Sequence, residues 1–466
     1  MKTTLLNQDT IVALATPQGH GAIGLIRISG NETFTVCSNI AFSKSGKKID
    51  LSAKAANSVV FCLIMDGETV IDEVLISIFK TPASYTGQDI IEISCHGSLY
   101  IQQKIIHLLL KQGARLAQQG EFTMRAFLNG KFDLSQAEAV ADLISSNSAA
   151  SHKLAMQQMR GGFSDKIKSL RQKLIDFASL IELELDFAEE DVEFANRSDL
   201  KALVNAIQEV VRNLIDSFEV GNVIKNGIPV AIVGKPNAGK STLLNVLLEE
   251  NRAIVSEIPG TTRDIIEDQI IIDGVLFRFI DTAGIRQTND LIETMGVEKT
   301  FEQIKLASIV IYLFDVNDTS AEQLKQNIDE INSHLNSSHL LVVANKTDNK
   351  DISVLKNKFK DFTESIYISA KEQSNIDDLK KQLIKIFADK TTRITDTIVS
   401  NARHADALEK TNEALTRVLD GLNNNITGDF LAMDIRQALY YLGSITGEIS
   451  SDDLLSNIFS RFCIGK

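Results

Sequence analysis

Four short motifs in a fixed order between residues 234 and 371 constrain this chain more than any other feature. They are Gly234-Lys235-Pro236-Asn237-Ala238-Gly239-Lys240-Ser241, Asp281-Thr282-Ala283-Gly284, Asn345-Lys346-Thr347-Asp348 and Ser369-Ala370-Lys371. The first fits a phosphate loop, in which glycines let the backbone curl so that its N–H groups face phosphate oxygens. Lys240 then reaches the β- and γ-phosphates, and the Ser241 hydroxyl can ligate Mg²⁺. A β-rich apolar run at 228–233 precedes the loop and a helical run at 242–248 follows it. That is the strand–loop–helix setting the chemistry requires, with a helix N-terminus adding its positive dipole end. Asp281 follows another apolar run at 275–280 and suits an outer-sphere Mg²⁺ partner, while the Gly284 N–H can sense a γ-phosphate. In the third motif a carboxylate can accept both the N1–H and the 2-amino donors of guanine. Adenine lacks that pair, so the motif implies GTP over ATP. Together the four imply a GTP hydrolase.

A chain of 466 residues is expected to hold two to four domains, each with its own core. No stretch of about 18 apolar residues is present, so a membrane-spanning helix is not expected. Asn7, Gln8 and Asp9 interrupt any apolar leader after Met1-Lys2, so no signal peptide is expected. Cys37, Cys62, Cys95 and Cys463 lie far apart without metal-ligand spacing, which fits free thiols in a reducing cytoplasm. The formal charge of −13 speaks against a strongly basic nucleic-acid-binding face over the whole chain, leaving room for a local patch or a partner that supplies one.

Periodicity divides the chain. Residues 1–125 mix β-rich runs (11–15, 22–28, 58–64, 74–79 and 90–94) with one helical stretch near 99–112, which reads as an α/β domain with a largely antiparallel sheet. From about 135 to 218 apolar residues recur at three- and four-residue spacing without proline, predicting long amphipathic helices. The acidic segment 182–193 within them reads as a solvated helix face or loop. Strands alternate with helices from 228 to 368, predicting a parallel sheet of the P-loop type. Beyond about 375 the pattern is helical again, through 401–422 and 428–442. The expected fold class is therefore multidomain α/β plus α, with a Ras-like P-loop GTPase domain (224–388) inserted in a long-helix domain (126–223 and 389–466) that follows an N-terminal domain (1–125).

Three further segments carry a resemblance. They are Asp9-Thr10-Ile11-Val12-Ala13 with Gly24-Leu25-Ile26-Arg27-Ile28-Ser29-Gly30, then Gly120-Glu121-Phe122-Thr123-Met124-Arg125-Ala126-Phe127-Leu128-Asn129-Gly130-Lys131, and finally Phe462-Cys463-Ile464-Gly465-Lys466. With the inserted motifs, the chain resembles the tRNA-modification GTPase MnmE (TrmE) family over essentially its full length. One departure is Gln119, where members often carry proline; it falls in a turn, and little consequence is expected.

The resemblance implies a homodimer formed through the N-terminal domain, which binds a 5,10-methylene- or 5-formyl-tetrahydrofolate. It implies a flavoprotein partner of the MnmG (GidA) type in a heterotetramer, with FAD and NADH on that partner. The pair would install an aminomethyl or carboxymethylaminomethyl group on C5 of the wobble uridine of certain tRNAs, in the cytoplasm. Carried over residue by residue, the folate contacts fall on Arg27, Glu92, Lys131 and Lys466. A pterin edge suits the Glu92 carboxylate, and the ligand's glutamate tail suits Arg27 or Lys131. Cys463 becomes a residue of the modification site, as nucleophile or acid, where a lone cysteine is by default a buried, inert thiol.

For the nucleotide, the resemblance extends the contacts from the phosphate loop (Asn237 to Ser241, and Thr242) to Ser256, Glu257, Ile258, Pro259, Gly260, Thr261 and Thr262. Many small GTPases orient water with a glutamine after Asp-x-x-Gly, and here that place is Ile285. The family's device is a K⁺ ion held by Asn237, Ser256, Ile258 and Thr261 in the place of an arginine finger. Thr262 would complete the Mg²⁺ shell with Ser241, and Glu293 would organise the water. The alternative reading is a regulatory or ribosome-assembly GTPase switch, which has no use for Cys463 or the 120–131 segment.

Overall fold

The computed structural model describes residues 9–186, 197–251, 268–280, 295–335, 338–348, 350–391, 397–424, 426–460 and 462–465. The chain divides into two compact units, Met1–Ala141 with Gln158–Asp176 and Leu439–Lys466, and Asp142–Gln157 with Phe177–Ala438.

Period-two alternation builds the sheet of the first unit. Its strands are β1 (Ile11–Leu14), β2 (Ile23–Ser29), β3 (Ala41–Phe42), β4 (Ser58–Asp66), β5 (Thr69–Phe79), β6 (Ile90–His96) and β7 (Arg115–Leu116). They lie in the order β3-β4-β5-β6-β2-β1-β7, antiparallel throughout except where β7 runs parallel to β1. Cys62, Ile64, Val74, Ile76, Ile78, Ile91 and Ile93 alternate onto one face and are fully buried with Ile105, Leu108 and Leu109 of α2 (Leu99–Lys111) and Val36 of α1 (Thr33–Ser38). Each such side chain contributes about 1.5–3 kcal/mol by burial. The alternate residues Val59, Phe61, Leu75 and Ile23 stay exposed.

The 120–131 segment forms α3 (Glu121–Leu128), which sequence periodicity did not predict. Its inward residues include charges: Glu121 and Arg125 are each about 4% exposed. A four-charge cluster satisfies them. Arg125 Nη2 donates to Asp9 Oδ1 at 2.7 Å and to Glu121 Oε1 at 2.9 Å, while Arg115 reaches Asp9 Oδ2 and Glu121 Oε1, both at 2.7 Å. The Arg115 guanidinium, with help from Arg125, holds the Asp9 carboxyl below its usual range. Burial pushes Glu121 up, but hydrogen bonds from Arg115, the Gln118 N–H and Arg125 outweigh it, so its net shift is also downward. Depressed folded values stabilise the fold above the unfolded pKa values near 4, and that contribution is lost as pH falls through the folded values. Arg125→Ala is expected to cost about 3–5 kcal/mol, because it leaves Glu121 buried without half its compensation. In urea titrations the first unfolding midpoint should fall, and the acid-induced loss of stability below about pH 4 should shrink in the variant. An unchanged midpoint would show that the cluster is decorative.

Also in the first unit, helix α4 (Leu134–Ser145) begins, and α14 (Gly428–Thr446) and α15 (Asp452–Phe459) end; Leu134, Ala137, Leu455, Phe459 and Phe462 share a core there. The expected long helices of 135–218 are interrupted. Between α4 and α5 (Ala149–Met159), Ser148 and Ser151 bond each other's backbone and hydroxyl groups, and Gly161 takes φ +92° before α6 (Gly162–Asp186).

In the second unit, β8 (Ile228–Val233), β9 (Asp268–Ile272), β10 (Val275–Phe279), β11 (Ile309–Asp315), β12 (His339–Asn345) and β13 (Ile366–Tyr367) lie in the order β13-β12-β11-β8-β10-β9. All pairings are parallel except the β9–β10 hairpin. Every residue of β11 is buried, as a strand covered on both faces must be. One face packs on α8 (Lys240–Asn251) and α12 (Ile376–Thr391) through Leu243, Leu247, Leu379 and Leu383. The other meets α9 (Met295–Leu306), α10 (Ala321–His334) and α11 (Ile352–Lys358) through Ile304, Leu324, Ile328 and Leu355. Helix α7 (Arg197–Asn226) buries Leu200, Val204, Ile207, Val211 and Leu214, and α13 (Ala402–Asn423) buries Leu408, Thr411, Leu415, Val418 and Leu422. Both show the three–four spacing of helices packed lengthwise, and Gln208 Nε2 donates across to Thr416 Oγ1 at 2.8 Å. The 182–193 segment lies largely outside the described residues; Glu182, on α6, pairs with Arg436 at 2.6 Å.

Candidate functional site

Strand β8 ends at Val233 and α8 begins at Lys240, so the six residues between them form a loop at the carboxyl end of a buried parallel strand. Gly239 holds φ +99°, and a Cβ there would lie 2.3 Å from Asn345 Nδ2, so no larger residue fits. Asn237 also takes a left-handed φ of +62° and lines a cleft of about 90 Å³ with Lys235, Asp315, Asp318 and Thr319. Lys240 Nζ donates to the carbonyls of Gly234 at 2.6 Å and Lys235 at 3.0 Å. Burial lowers the pKa of this ammonium, which suits a group waiting for an anion to replace those carbonyls.

Asn345, 2% exposed at the end of β12, ties three motifs into one unit. Its Nδ2 donates to the Ala238 carbonyl at 2.8 Å, and its Oδ1 accepts from the Ala370 N–H at 3.0 Å. The Ser369 hydroxyl donates to Asp348 Oδ1, fixing the carboxylate proposed to read guanine. The Thr347 N–H donates to the Ile368 carbonyl at 3.3 Å, and Lys371 stays largely exposed. Lys346 pairs with Asp315 at 2.8 Å. Sequence reasoning missed Asp315. Its signal was there, an aspartate at the carboxyl end of an all-apolar strand; β11 places it directly beside Asn345. Ser241 and Thr242 open α8. Ser256, Glu257, Ile258, Pro259, Gly260, Thr261, Thr262, Asp281, Thr282, Ala283, Gly284 and Glu293 lie outside the described residues, as does Lys466.

In the first unit, register places Arg27 of β2 opposite Glu92 of β6. The two residues are bound to each other, Arg27 Nε donating to Glu92 Oε1 at 2.8 Å, so neither is an independent contact. Arg27 Nη1 donates to the Gly465 carbonyl at 3.1 Å. Its guanidinium carbon lies 5.4 Å from the Tyr85 ring centroid and 5.8 Å from that of Phe122. Sequence reasoning gave neither ring a role at the site. Lys131 Nζ donates to the Pro82 carbonyl at 3.0 Å, on the loop that carries Tyr85. Cys463 is exposed, whereas Cys37, Cys62 and Cys95 are buried, so the default of a buried thiol fails for Cys463 alone. Gln119 pairs with Ile464 in an antiparallel bridge whose hydrogen bond runs from the Gly120 N–H to the Cys463 carbonyl, at a long 3.5 Å. Gln119 thus sits in a bridge and not in the expected turn, which begins at Gly120, and its N–H takes no part in that bond.

Residues 10–131 match the family description "GTP-binding protein TrmE N-terminus", and residues 134–463 match "MnmE helical domain". The chain is 55% identical to the tRNA modification GTPase MnmE of Flavobacterium psychrophilum, over 99% of this chain and 100% of that one. It is 54% identical to that of Cytophaga hutchinsonii, over 100% and 99%, and 55% identical to that of Christiangramia forsetii, over 98% and 99%. Matches of this length and identity place the chain in the MnmE/TrmE family of tRNA modification GTPases.

Proposed function

We propose that the chain hydrolyses GTP at the 234–371 site to drive C5 modification of the wobble uridine of certain tRNAs, acting with an MnmG-type flavoprotein that carries FAD and NADH. The observation that carries the nucleotide half is Asn345, which joins the phosphate loop to the base-reading motifs through two hydrogen bonds. The domain division follows the sequence: 1–125 for folate binding and dimerisation, 126–223 and 389–466 for the helical domain, 224–388 for the GTPase. The open sheet face with Val59, Phe61, Leu75 and Ile23 supports pairing with a second copy. Among the described residues no helix is long and apolar enough to cross a membrane.

Ser241 and Thr262 would hold Mg²⁺. Asn237, already at the rim of the loop, would hold K⁺ with Ser256, Ile258 and Thr261, placing a fixed charge where negative charge grows on the leaving phosphate. Asn237 lines a cleft walled by Asp315 and Asp318, a donor set that suits a cation. Glu293 would orient the water that Ile285 cannot. In the first unit, Arg27 occupies Oε1 of Glu92, so Oε2 is the oxygen a pterin N–H edge would use. Lys131 would meet the glutamate tail, with Lys466 beside it. When bound, tetrahydrofolate supplies the one-carbon unit between uracil C5 and the amine.

Mass spectrometry of tRNA nucleosides from cells lacking this protein tests the reading: the C5-modified wobble uridine should disappear. With the purified protein, GTP turnover should be higher in K⁺ than in Na⁺ at equal ionic strength. Unchanged nucleosides, with hydrolysis intact, would return the regulatory-switch reading.

A further inference from the structure

We propose that Tyr85 and Phe122 act as positioning residues: their rings hold the Arg27 guanidinium so that it keeps the 462–465 segment, and with it the Cys463 thiol, in a fixed place. This deepens the reading above and rests on its assignment of Cys463 to the modification site.

Among the described residues, few contacts hold that segment. Phe462 is buried in the core with Leu455 and Phe459, so the chain is anchored up to that point. Beyond it, Cys463 and Ile464 are exposed, and the backbone bond from Gly120 is at the outer limit of hydrogen-bond length. Gly465 then takes φ +97° and lies so close to β1 that a Cβ would sit 2.5 Å from the Leu14 carbonyl. The segment is thus led across the strand ends by a glycine, and the charged hydrogen bond from Arg27 to the Gly465 carbonyl fastens it.

Arg27 can serve as a fastener only if its long side chain is itself immobilised. Three contacts do this. Glu92 takes Nε, and the rings of the fully buried Phe122 and of Tyr85 both lie within cation–π reach of the guanidinium. Tyr85 is fixed in turn: its Oη lies 2.8 Å from Thr123 Oγ1, and Phe132 meets its ring edge-on at 5.7 Å. Thr123 and Phe122 are neighbours on α3, so one helix supplies both one ring and the support for the other. Arginine suits this place because its planar fork donates from separate nitrogens in fixed directions while its flat face can lie against a ring; a lysine ammonium is a compact point charge with neither the fork nor the face.

The test uses the full chain and reads the segment directly. Amide hydrogen exchange of the peptide carrying residues 462–465 should speed up roughly tenfold in Tyr85→Leu, and similarly in Arg27→Lys. Tyr85→Phe keeps the ring and should stay within about twofold of the parent, losing only the contact to Thr123. Activity should split in the same order. Tyr85→Leu should lower the kcat of tRNA modification roughly tenfold, well beyond any rise in the KM for the folate through Arg27 and Glu92, and GTP hydrolysis should not change. A ring that merely shaped the folate pocket would raise KM instead. Unchanged exchange in Tyr85→Leu overturns the proposal, as does faster exchange with undiminished modification, or a Tyr85→Phe as defective as Tyr85→Leu. Failure of the underlying reading looks different: Cys463→Ser would then modify tRNA normally, whatever the exchange rates.

Discussion

Cys463→Ser is expected to lower tRNA modification roughly 10²–10⁴-fold while leaving GTP hydrolysis unchanged. Serine keeps the shape of the side chain and removes its nucleophilicity and its acidity, so the loss isolates chemistry from packing. The comparison among the cysteines sharpens the expectation. Burial pushes the Cys62 thiol up to about 12 and the Cys95 thiol to about 11, and raises Cys37 further still. Those three are shut in the core of the first unit and cannot stand in for Cys463, which alone among the cysteines is exposed. The measurement is paired: phosphate release from GTP and nucleoside mass spectrometry on the same variant. If both fall together, the thiol is structural and the two reactions are not separate. If neither falls, Cys463 is a bystander.

Much of this arrangement was legible in the sequence because local patterns and ligand chemistry coincide. The β8 run at 228–233 was read to the residue, since a doubly buried parallel strand leaves no exposed flank to blur its ends. The β4–β5 hairpin was read too short. Its Gly67 turn, at φ +63°, is tight, and the exposed outer residues of both strands hide the pairing that carries them to Asp66 and Thr69. Helix α3 was read as a motif rather than a helix. Its buried face includes Glu121 and Arg125, whose partner Asp9 lies more than a hundred residues away in sequence, so no local window contains the reason they are tolerated inside. α1 is a short helix containing β-branched Thr33, Thr35 and Val36, below what periodicity can resolve. The same limit applies at the sites. Residue types at Arg27 and Glu92 suggested two ligand contacts, but only the strand register shows that they engage each other first. Asp315 and Tyr85 have no motif of their own; they matter through neighbours that the fold brings to them.

Asp348→Asn is expected to weaken GTP binding by roughly 10²-fold or more and to move the preference toward xanthosine triphosphate. In the proposed site the carboxylate would accept two donors, the guanine N1–H and its 2-amino group. An asparagine carboxamide accepts one and sets its own N–H₂ against the other, so one favourable contact becomes a donor–donor clash, at a cost of about 1–3 kcal/mol for each desolvated group left unpaired. Xanthine carries a carbonyl where guanine carries the amine, and that oxygen can accept from the new amide. The substitution should not disturb the surrounding frame. Asn345 still bonds the Ala238 carbonyl at 2.8 Å and the Ala370 N–H at 3.0 Å, and the Ser369 hydroxyl still finds an acceptor at position 348. Lys240 keeps its place at the mouth of α8, so phosphate affinity is retained and the change falls on the base alone. Competition binding of GTP and xanthosine triphosphate to parent and variant measures the ratio. A ratio that does not move would mean that Asp348 does not read the base, and the choice of guanine would then have to come from another acceptor near Ser369.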